Sequence, residues 1–374
     1  MKILHVGKYY WPEKGGIENH LKILCEGLAA KGVSVRAVVS NTKNSLLREK
    51  INGVEIVRLP KAFSAFNQPI FSGLREEIGN YNPDIIHLHL PNPLAALKLY
   101  QTQKPIVITY HSDIVGKPAM KLIEFSTGQI LKKARAVIAT SENYVSGSKL
   151  LKKFKDKIKV IPLSVELKKM KPAKISEIKK MKQRLGIKNE FVILFVGRLI
   201  PYKGLQFLIE ALPLLKGDFK LIIGGLGPLE SKMRELAKSL SVQDKIIFFG
   251  EVNENYYSNL FSSADIFVLP SHLKSEAFGI VQMEAMAHGK PVVSCNISGS
   301  GVPWVNKSGV SGIVVEPENP SELAGAIQKL MDNPQLRKKL GAGGRARAEE
   351  LFDSKKMVRS VLRVYEEVLK RKTA

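Results

Sequence analysis

Short apolar runs recur along the whole chain, separated by stretches in which apolar residues return every three or four positions. In the first half the runs are KILHV, SVRAVVS, VEIVRL, DIIHLHL, PIVITY, AVIAT and IKVIPL. A strand with one wet face alternates apolar and polar residues. Several of these runs are apolar at both parities, as strands covered on both faces of a parallel sheet are. With helical stretches between them, they predict a doubly wound α/β domain over residues 1–165. The alternation then stops. Residues 166–190 are rich in lysine and hold a proline but no strand-like run, which predicts a basic linker. It resumes with FVILFVG, FKLIIGG, KIIFFG, DIFVLP, PVVSC and SGIVVEP, predicting a second α/β domain over residues 191–352. The final stretch, 353–374, reads as a helix with its N-cap at Asp353 or Ser354.

Two domains of ordinary size fit the 374 residues. The two cysteines, Cys25 and Cys295, lie far apart in apolar segments. That excludes a disulfide framework or a cysteine-rich metal site and fits a reducing compartment. The apolar run at the start is too short for a signal peptide, and no stretch approaches the roughly 18 apolar residues of a membrane span. The formal net charge is +24 and unevenly spread: residues 1–190 carry 34 Lys and Arg against 15 Asp and Glu, residues 191–374 carry 24 against 19. The first half therefore predicts an anionic surface as a partner. Nucleic acid is not the expected one. Aromatic residues make up only 7% of the chain, and no nucleic-acid module is present.

Three motifs carry candidate chemistry. Gly15 and Gly16 open the first helical stretch, where unpaired N–H groups favour phosphate and the missing side chains permit close approach. The spacing of a G-x-G-x-x-G dinucleotide loop is absent there, and GGLGPLE at 224–230 puts Glu230 in the third glycine's place. In FVGRLIPYKG, residues 195–204, Arg198 and Lys203 follow a buried strand, at the end where open α/β sheets bind ligands. Arg grips a phosphate with two parallel hydrogen bonds and Lys adds a compact charge. In SEAFGIVQMEAMAHGKPVVS, residues 275–294, Glu276 lies in a loop, Gly279 opens a helix and Glu284 sits about one turn inside it. Carboxylates so placed suit the hydroxyls of a polyol ligand.

Together with TYHSD in the first half, these motifs make the chain resemble the retaining glycosyltransferase family 4 (glycosyl transferases group 1) along nearly its whole length. The resemblance implies the GT-B architecture: two Rossmann-like domains facing a central cleft, the first binding the acceptor and the second the nucleotide sugar, with the helix 353–374 packing back on the first. It implies that Arg198 and Lys203 hold the diphosphate and stabilise the leaving nucleotide. Glu284 would bind the ribose, and Glu276 with the backbone of Ala277, Phe278, Gly279 and Ile280 the donor sugar. Val252 and Glu254 would face the base, and Gly15 and Gly16 would close over the diphosphate. His111 would lie beside the sugar and acceptor, with Asp113 orienting it or touching the acceptor. His87 and His89, in DIIHLHLPNP, read as alternating faces of a strand, and neither is assigned to the site.

No Asp-x-Asp occurs in the chain, so Arg and Lys are expected to do the work of a metal, and neither a metal nor another cofactor is implied. The combination of YHSDI, SEAFGIVQMEAMA and SGSGVPWVN most resembles enzymes of surface-polysaccharide assembly that use mannose- or rhamnose-type donors. That places a GDP-linked donor slightly ahead of a UDP-linked one. Some relatives carry a lysine where this chain has NENYYSN, which leaves the base open. The stretches 116–135 and 149–159 combine Lys with Leu, Ile and Phe at helical spacing. They predict peripheral docking on the inner face of the cytoplasmic membrane and a lipid-linked or glycan acceptor. The alternatives are an inert basic membrane- or nucleic-acid-binding protein, a sugar-nucleotide epimerase and a glycoside phosphorylase.

Overall fold

Eight strands form the first sheet, in the spatial order Ile158–Val160, Ala136–Ala139, Ile106–Tyr110, Ile85–Leu90, Lys2–Val6, Ser34–Ser40, Val54–Leu59, Leu47–Ile51. All neighbours are parallel except the last pair, a hairpin in which Leu47–Ile51 runs antiparallel to Val54–Leu59. This computed structural model describes residues 1–13, 15–65, 68–113 and 120–373. The central strands are buried at every position, as in Ile85–Leu90 and Ile106–Tyr110, which is why their runs show no alternation. Leu47–Ile51 escaped prediction. It is an edge strand of sequence LREKI, mostly exposed, and charge at an edge is how sheets avoid further pairing.

Two compact units divide the chain: Met1–Ser164 with Ser354–Ala374, and Val165–Asp353. The terminal helix Ser354–Thr373 therefore belongs with the first unit. Its Met357, Val358, Val361, Val364, Tyr365 and Val368 join the core that Leu21, Leu24 and Leu28 of the helix Gly16–Ala29 form against the sheet. The stretch 166–190 is not a free linker. Residues 166–190 lie in the second unit, where the helix Ile175–Arg184 buries Met181 and the Ala173 N–H donates to Ser262 Oγ at 2.9 Å. Its lysines line the wet side of that helix, which is why composition alone suggested a tether.

The second sheet has six parallel strands in the order Ile246–Gly250, Phe219–Gly224, Phe191–Val196, Ile266–Leu269, Val292–Cys295, Gly312–Val315. Numbered along the chain this is 3-2-1-4-5-6, the dinucleotide-fold order, with its switch point between Phe191–Val196 and Ile266–Leu269. The first sheet has its own switch point between Lys2–Val6 and Ile85–Leu90, because successive strands are added on opposite sides of that pair.

Candidate functional site

At the switch point of the second sheet two chains leave side by side. Phe191–Val196 runs into Gly197 and Arg198, and Ile266–Leu269 into Pro270 and Ser271. A crevice must open there, because the helices that follow diverge to opposite faces. After Arg198 the chain makes a single 3-10 turn, Pro201–Lys203, and then Gly204 at φ 66° begins the helix Leu205–Ala211. A Cβ on Gly204 would stand 2.1 Å from the carbonyl oxygen of Pro270. Glycine is thus required where the two loops touch, and the contact turns Lys203 toward the loop that follows Pro270.

Lys203 meets Glu276 there. Lys203 Nζ lies 2.5 Å from Glu276 Oε2, and both side chains are about nine-tenths buried. The Ser271 hydroxyl donates to the same oxygen at 2.9 Å. Ser300 Oγ donates to the Glu276 carbonyl at 2.5 Å, and the Gly301 N–H to that of Ala277 at 2.8 Å. The ring of Phe278 packs against Trp304 and Phe352, each centroid 6.1 Å away. The backbone of residues 276–279 is pinned from both sides just before Gly279 caps the helix Ile280–Ala287. The first N–H groups of that helix have no acceptor within it.

Glu284, in the same helix, accepts a hydrogen bond from the Tyr257 hydroxyl. Burial pushes its carboxyl above the usual carboxylate range, against the Tyr257 hydrogen bond and the Lys203 charge, which pull it down. Lys203 therefore acts on both acids. Arg198 is exposed, with Nη2 donating to Tyr202 Oη at 3.3 Å, which leaves its guanidinium fork facing solvent. Val252 is half-buried in the loop before the helix Glu254–Ser263 and packs against Gly224. The side chain of Glu254 lies outside the described residues.

Sequence reasoning missed the partners. Tyr257 lies within NENYYSN, read only as a departure from relatives, and Ser271 and Ser300 carry no spacing signal. The GGLG loop fails the dinucleotide pattern yet has a structural task. Here a Cβ on Gly225, at φ 131°, would sit 1.9 Å from the carbonyl oxygen of Gly197. The Leu199 N–H donates to the Leu226 carbonyl at 3.0 Å, and the Leu229 N–H to that of Leu199 at 3.2 Å. That glycine loop braces the segment carrying Arg198 and Lys203.

In the first unit, His111 follows the strand Ile106–Tyr110 and is buried. Its backbone N–H donates to the Leu90 carbonyl at 3.0 Å, and its ring Nε2 lies 3.2 Å from Nδ1 of His89. Asp113 is held by hydroxyls rather than by His111 in these contacts: Tyr110 at 2.7 Å and Ser148 at 2.8 Å donate to its Oδ1, and its own N–H donates to Tyr144 Oη at 2.6 Å. His87 and His89 do not take opposite faces. Two positions apart on a strand, they share one face, are both buried, and stack with ring centroids 4.5 Å apart. Gly15 caps the helix Gly16–Ala29 at φ 177°, extended backbone that any residue adopts, and the three atoms nearest to a Cβ there would all belong to the mobile end of Glu18. Its conformation does not demand glycine. Among the described residues no helix is long and apolar enough to cross a membrane.

Two families match. Glycosyltransferase Family 4 covers residues 14–169 and Glycosyl transferases group 1 covers residues 177–347. O-antigen chain mannosyltransferase C of Escherichia coli is 31% identical to this chain over 389 aligned residues that span the whole of both proteins. D-rhamnosyltransferase WbpZ of Pseudomonas aeruginosa is 31% identical, covering 94% of this chain and 92% of its own. The solved sucrose-phosphate synthase of Thermosynechococcus elongatus shares the fold, with a TM-score of 0.82 over 99% of each chain at 22% identity. With the two parallel-sheet units, that likeness makes the architecture GT-B.

Proposed function

We propose that this chain, which belongs to glycosyltransferase family 4 of the glycosyl transferases group 1, moves a hexose from a nucleotide-diphosphate sugar to a lipid-linked or glycan acceptor. The product is surface polysaccharide or glycolipid, and the anomeric configuration is retained. The observation that carries the reading is the Lys203–Glu276 pair at the switch point, with Arg198 exposed beside it and Glu284 behind it. A diphosphate placed in that crevice brings two negative groups to Arg198 and Lys203. As the bond from the anomeric carbon to the diphosphate oxygen breaks, charge grows on that oxygen, so fixed cations stabilise the transition state more than the ground state. No metal is required for that step. The carboxylates of Glu276 and Glu284 accept hydrogen bonds from sugar and ribose hydroxyls, and His111 serves the sugar and acceptor side.

A GDP-linked mannose-type donor is the first choice, because the two relatives above are named for mannosyl and D-rhamnosyl transfer. The membrane is the natural setting for a lipid-linked acceptor. Phe125 is 62% exposed on the helix Met120–Lys133, whose last turn carries Lys132, and Lys152, Lys153 and Lys155 are exposed on the turn Leu151–Lys157. The beginning of the basic stretch, residues 116–119, lies outside the described residues.

A thermal-shift screen against GDP, UDP and ADP and their sugar conjugates tests the donor. A ligand at 100 times its dissociation constant adds about 2.7 kcal/mol of stability, a shift of several degrees. GDP-mannose should stabilise most. Absence of a shift with any nucleotide sugar removes the transferase reading, and a UDP-sugar in first place corrects the donor alone.

A further inference from the structure

Five of the seven histidines of the chain lie together in the core of the first unit: His5, His20, His87, His89 and His111. They arise from topology. His5 and His87 are register partners on neighbouring parallel strands, His89 follows on the same face, and His111 leaves the next strand. Their contacts form a chain. Thr109 Oγ1 lies 2.7 Å from His87 Nε2, and His87 Nδ1 lies 2.5 Å from the Tyr365 hydroxyl. That hydroxyl is 3.4 Å from His5 Nε2, His5 Nδ1 is 3.1 Å from His89 Nε2, and His89 Nδ1 is 3.2 Å from His111 Nε2. All six ring nitrogens of His5, His87 and His89 are therefore engaged. At the end of the chain, His111 Nδ1 has no partner among the described residues.

Burial holds every one of these imidazoles well below the usual histidine range, His5 at about 3 and His20 at about 4. All are neutral near pH 7, so each ring has one N–H and one lone pair. The chain then has only two complete arrangements. In the first, the Tyr365 O–H donates to His87 Nδ1, the His87 Nε2–H donates to Thr109, and the Tyr365 oxygen accepts from the His5 Nε2–H. His5 Nδ1 then accepts from the His89 Nε2–H, His89 Nδ1 accepts from the His111 Nε2–H, and His111 Nδ1 keeps a bare lone pair. In the second every bond is reversed and His111 Nδ1 carries the hydrogen. The two contacts of Tyr365 choose between them. An O–H donor makes the shorter bond, and the contact with His87 is 0.9 Å shorter than the contact with His5.

We propose that Tyr365, from the terminal helix, is a positioning residue for His111: through His5 and His89 its hydroxyl holds His111 as the Nε2–H tautomer and keeps Nδ1 as a hydrogen-bond acceptor. This rests on the reading of His111 as a group on the sugar and acceptor side, where an acceptor receives a hydroxyl. The terminal helix is thus part of the chemistry of the first unit as well as of its core.

The test uses the full chain labelled with 15N-histidine, with long-range 1H–15N correlation reporting the tautomer of each ring and single-histidine variants assigning the signals. His111 should be Nε2–H in the native protein. In Tyr365→Phe, which keeps the ring and loses the hydroxyl, the His5 Nε2–H has no acceptor and His111 should become a mixture of tautomers. Thr109→Val, at the other end of the chain, should change the His111 tautomer ratio as well, and serves if the Tyr365 variant fails to fold. An unaltered His111 ratio in a folded variant overturns the proposal. So does a stoichiometric metal ion bound by His20, His89 and His111, whose ring nitrogens come within 4.8 Å of one another, since it would replace the bond between His89 and His111. Turnover is measured separately. A tautomer change with unaltered turnover supports the relay and removes His111 from the reaction.

Discussion

Lys203 Nζ and Glu276 Oε2 stand 2.5 Å apart in a site closed to water on most sides. Both groups had to be desolvated to meet, so their attraction mostly offsets that cost, and loss of one partner strands the other. Lys203→Ala should therefore cost about 3 kcal/mol of stability and cut kcat/KM by roughly 10² or more. The double variant Lys203→Met with Glu276→Leu separates the two effects. It should recover most of the stability, because no charge is left buried, and none of the activity. Urea unfolding and transfer assays on the single and double variants decide it. Activity returning with stability would make the pair a structural feature and nothing more.

Glu284 leads to a pH dependence. Burial raises its carboxyl and the Tyr257 hydrogen bond lowers it. In the proposed role the ionised form would accept hydroxyls of the nucleotide sugar, so affinity should be full above the raised pKa and fall as pH drops through it. Tyr257→Phe removes the lowering contact, so the midpoint of the loss should move to higher pH. Glu284→Gln should bind more weakly with no such step. Calorimetric titration with a nucleotide sugar between pH 5 and 8 measures this, because a diphosphate diester does not itself titrate in that window. An unchanged midpoint in Tyr257→Phe would separate Glu284 from donor binding.

The parts of this molecule legible in the sequence are those set by a run or a spacing. Central strands such as Phe191–Val196 declare themselves because both faces are covered, and Arg198, Lys203, Glu276 and Glu284 stand at fixed distances from strand and helix ends. Long-range partners are not so written. Nothing in NENYYSN marks Tyr257 as the donor to Glu284, 27 residues away, and Tyr365 reaches His87 across 278 residues. The lysines of 166–190 suggested a linker because composition reports exposure and not attachment. His87 and His89 differ from their expected alternate faces because positions two apart on a strand share a face.

The exposure of Phe125 and of Lys132, Lys152, Lys153 and Lys155 leads to a membrane prediction. Each basic side chain near an anionic surface contributes on the order of 1 kcal/mol, about a fivefold change in partition. The protein should sediment with vesicles containing anionic lipid, ignore neutral ones, and be released as salt shortens the reach of the charges. Lys152→Ser with Lys153→Ser should weaken binding by roughly 10-fold or more, and Phe125→Ser should weaken it at every salt concentration. Equal binding to neutral and anionic vesicles would contradict membrane docking through this surface.

The histidine cluster also predicts an acid limit for the first unit. An imidazole whose folded pKa lies below its unfolded value of about 6.5 contributes stability that is complete above that value. The contribution is lost as pH falls, because the unfolded chain takes up protons that the core refuses. For His20, held at about 4, the loss by pH 4 is on the order of 3 kcal/mol. His5, His87, His89 and His111 shift the same way. With His5 held at about 3, the loss from His20 and His5 alone is about 6 kcal/mol by pH 4, comparable with the whole margin of an ordinary domain. Near-UV circular dichroism and hydrogen exchange should show the first unit opening between pH 6 and 4. His20 has neither ring nitrogen hydrogen-bonded among the described residues and packs edge-on against His111 at 5.0 Å. His20→Phe therefore keeps an aromatic ring in place and removes one proton-binding site. Its acid midpoint should fall below that of the native protein, and the slope of stability against pH should lessen by about one proton. An unmoved midpoint would mean that acid opens this unit through groups other than its buried imidazoles.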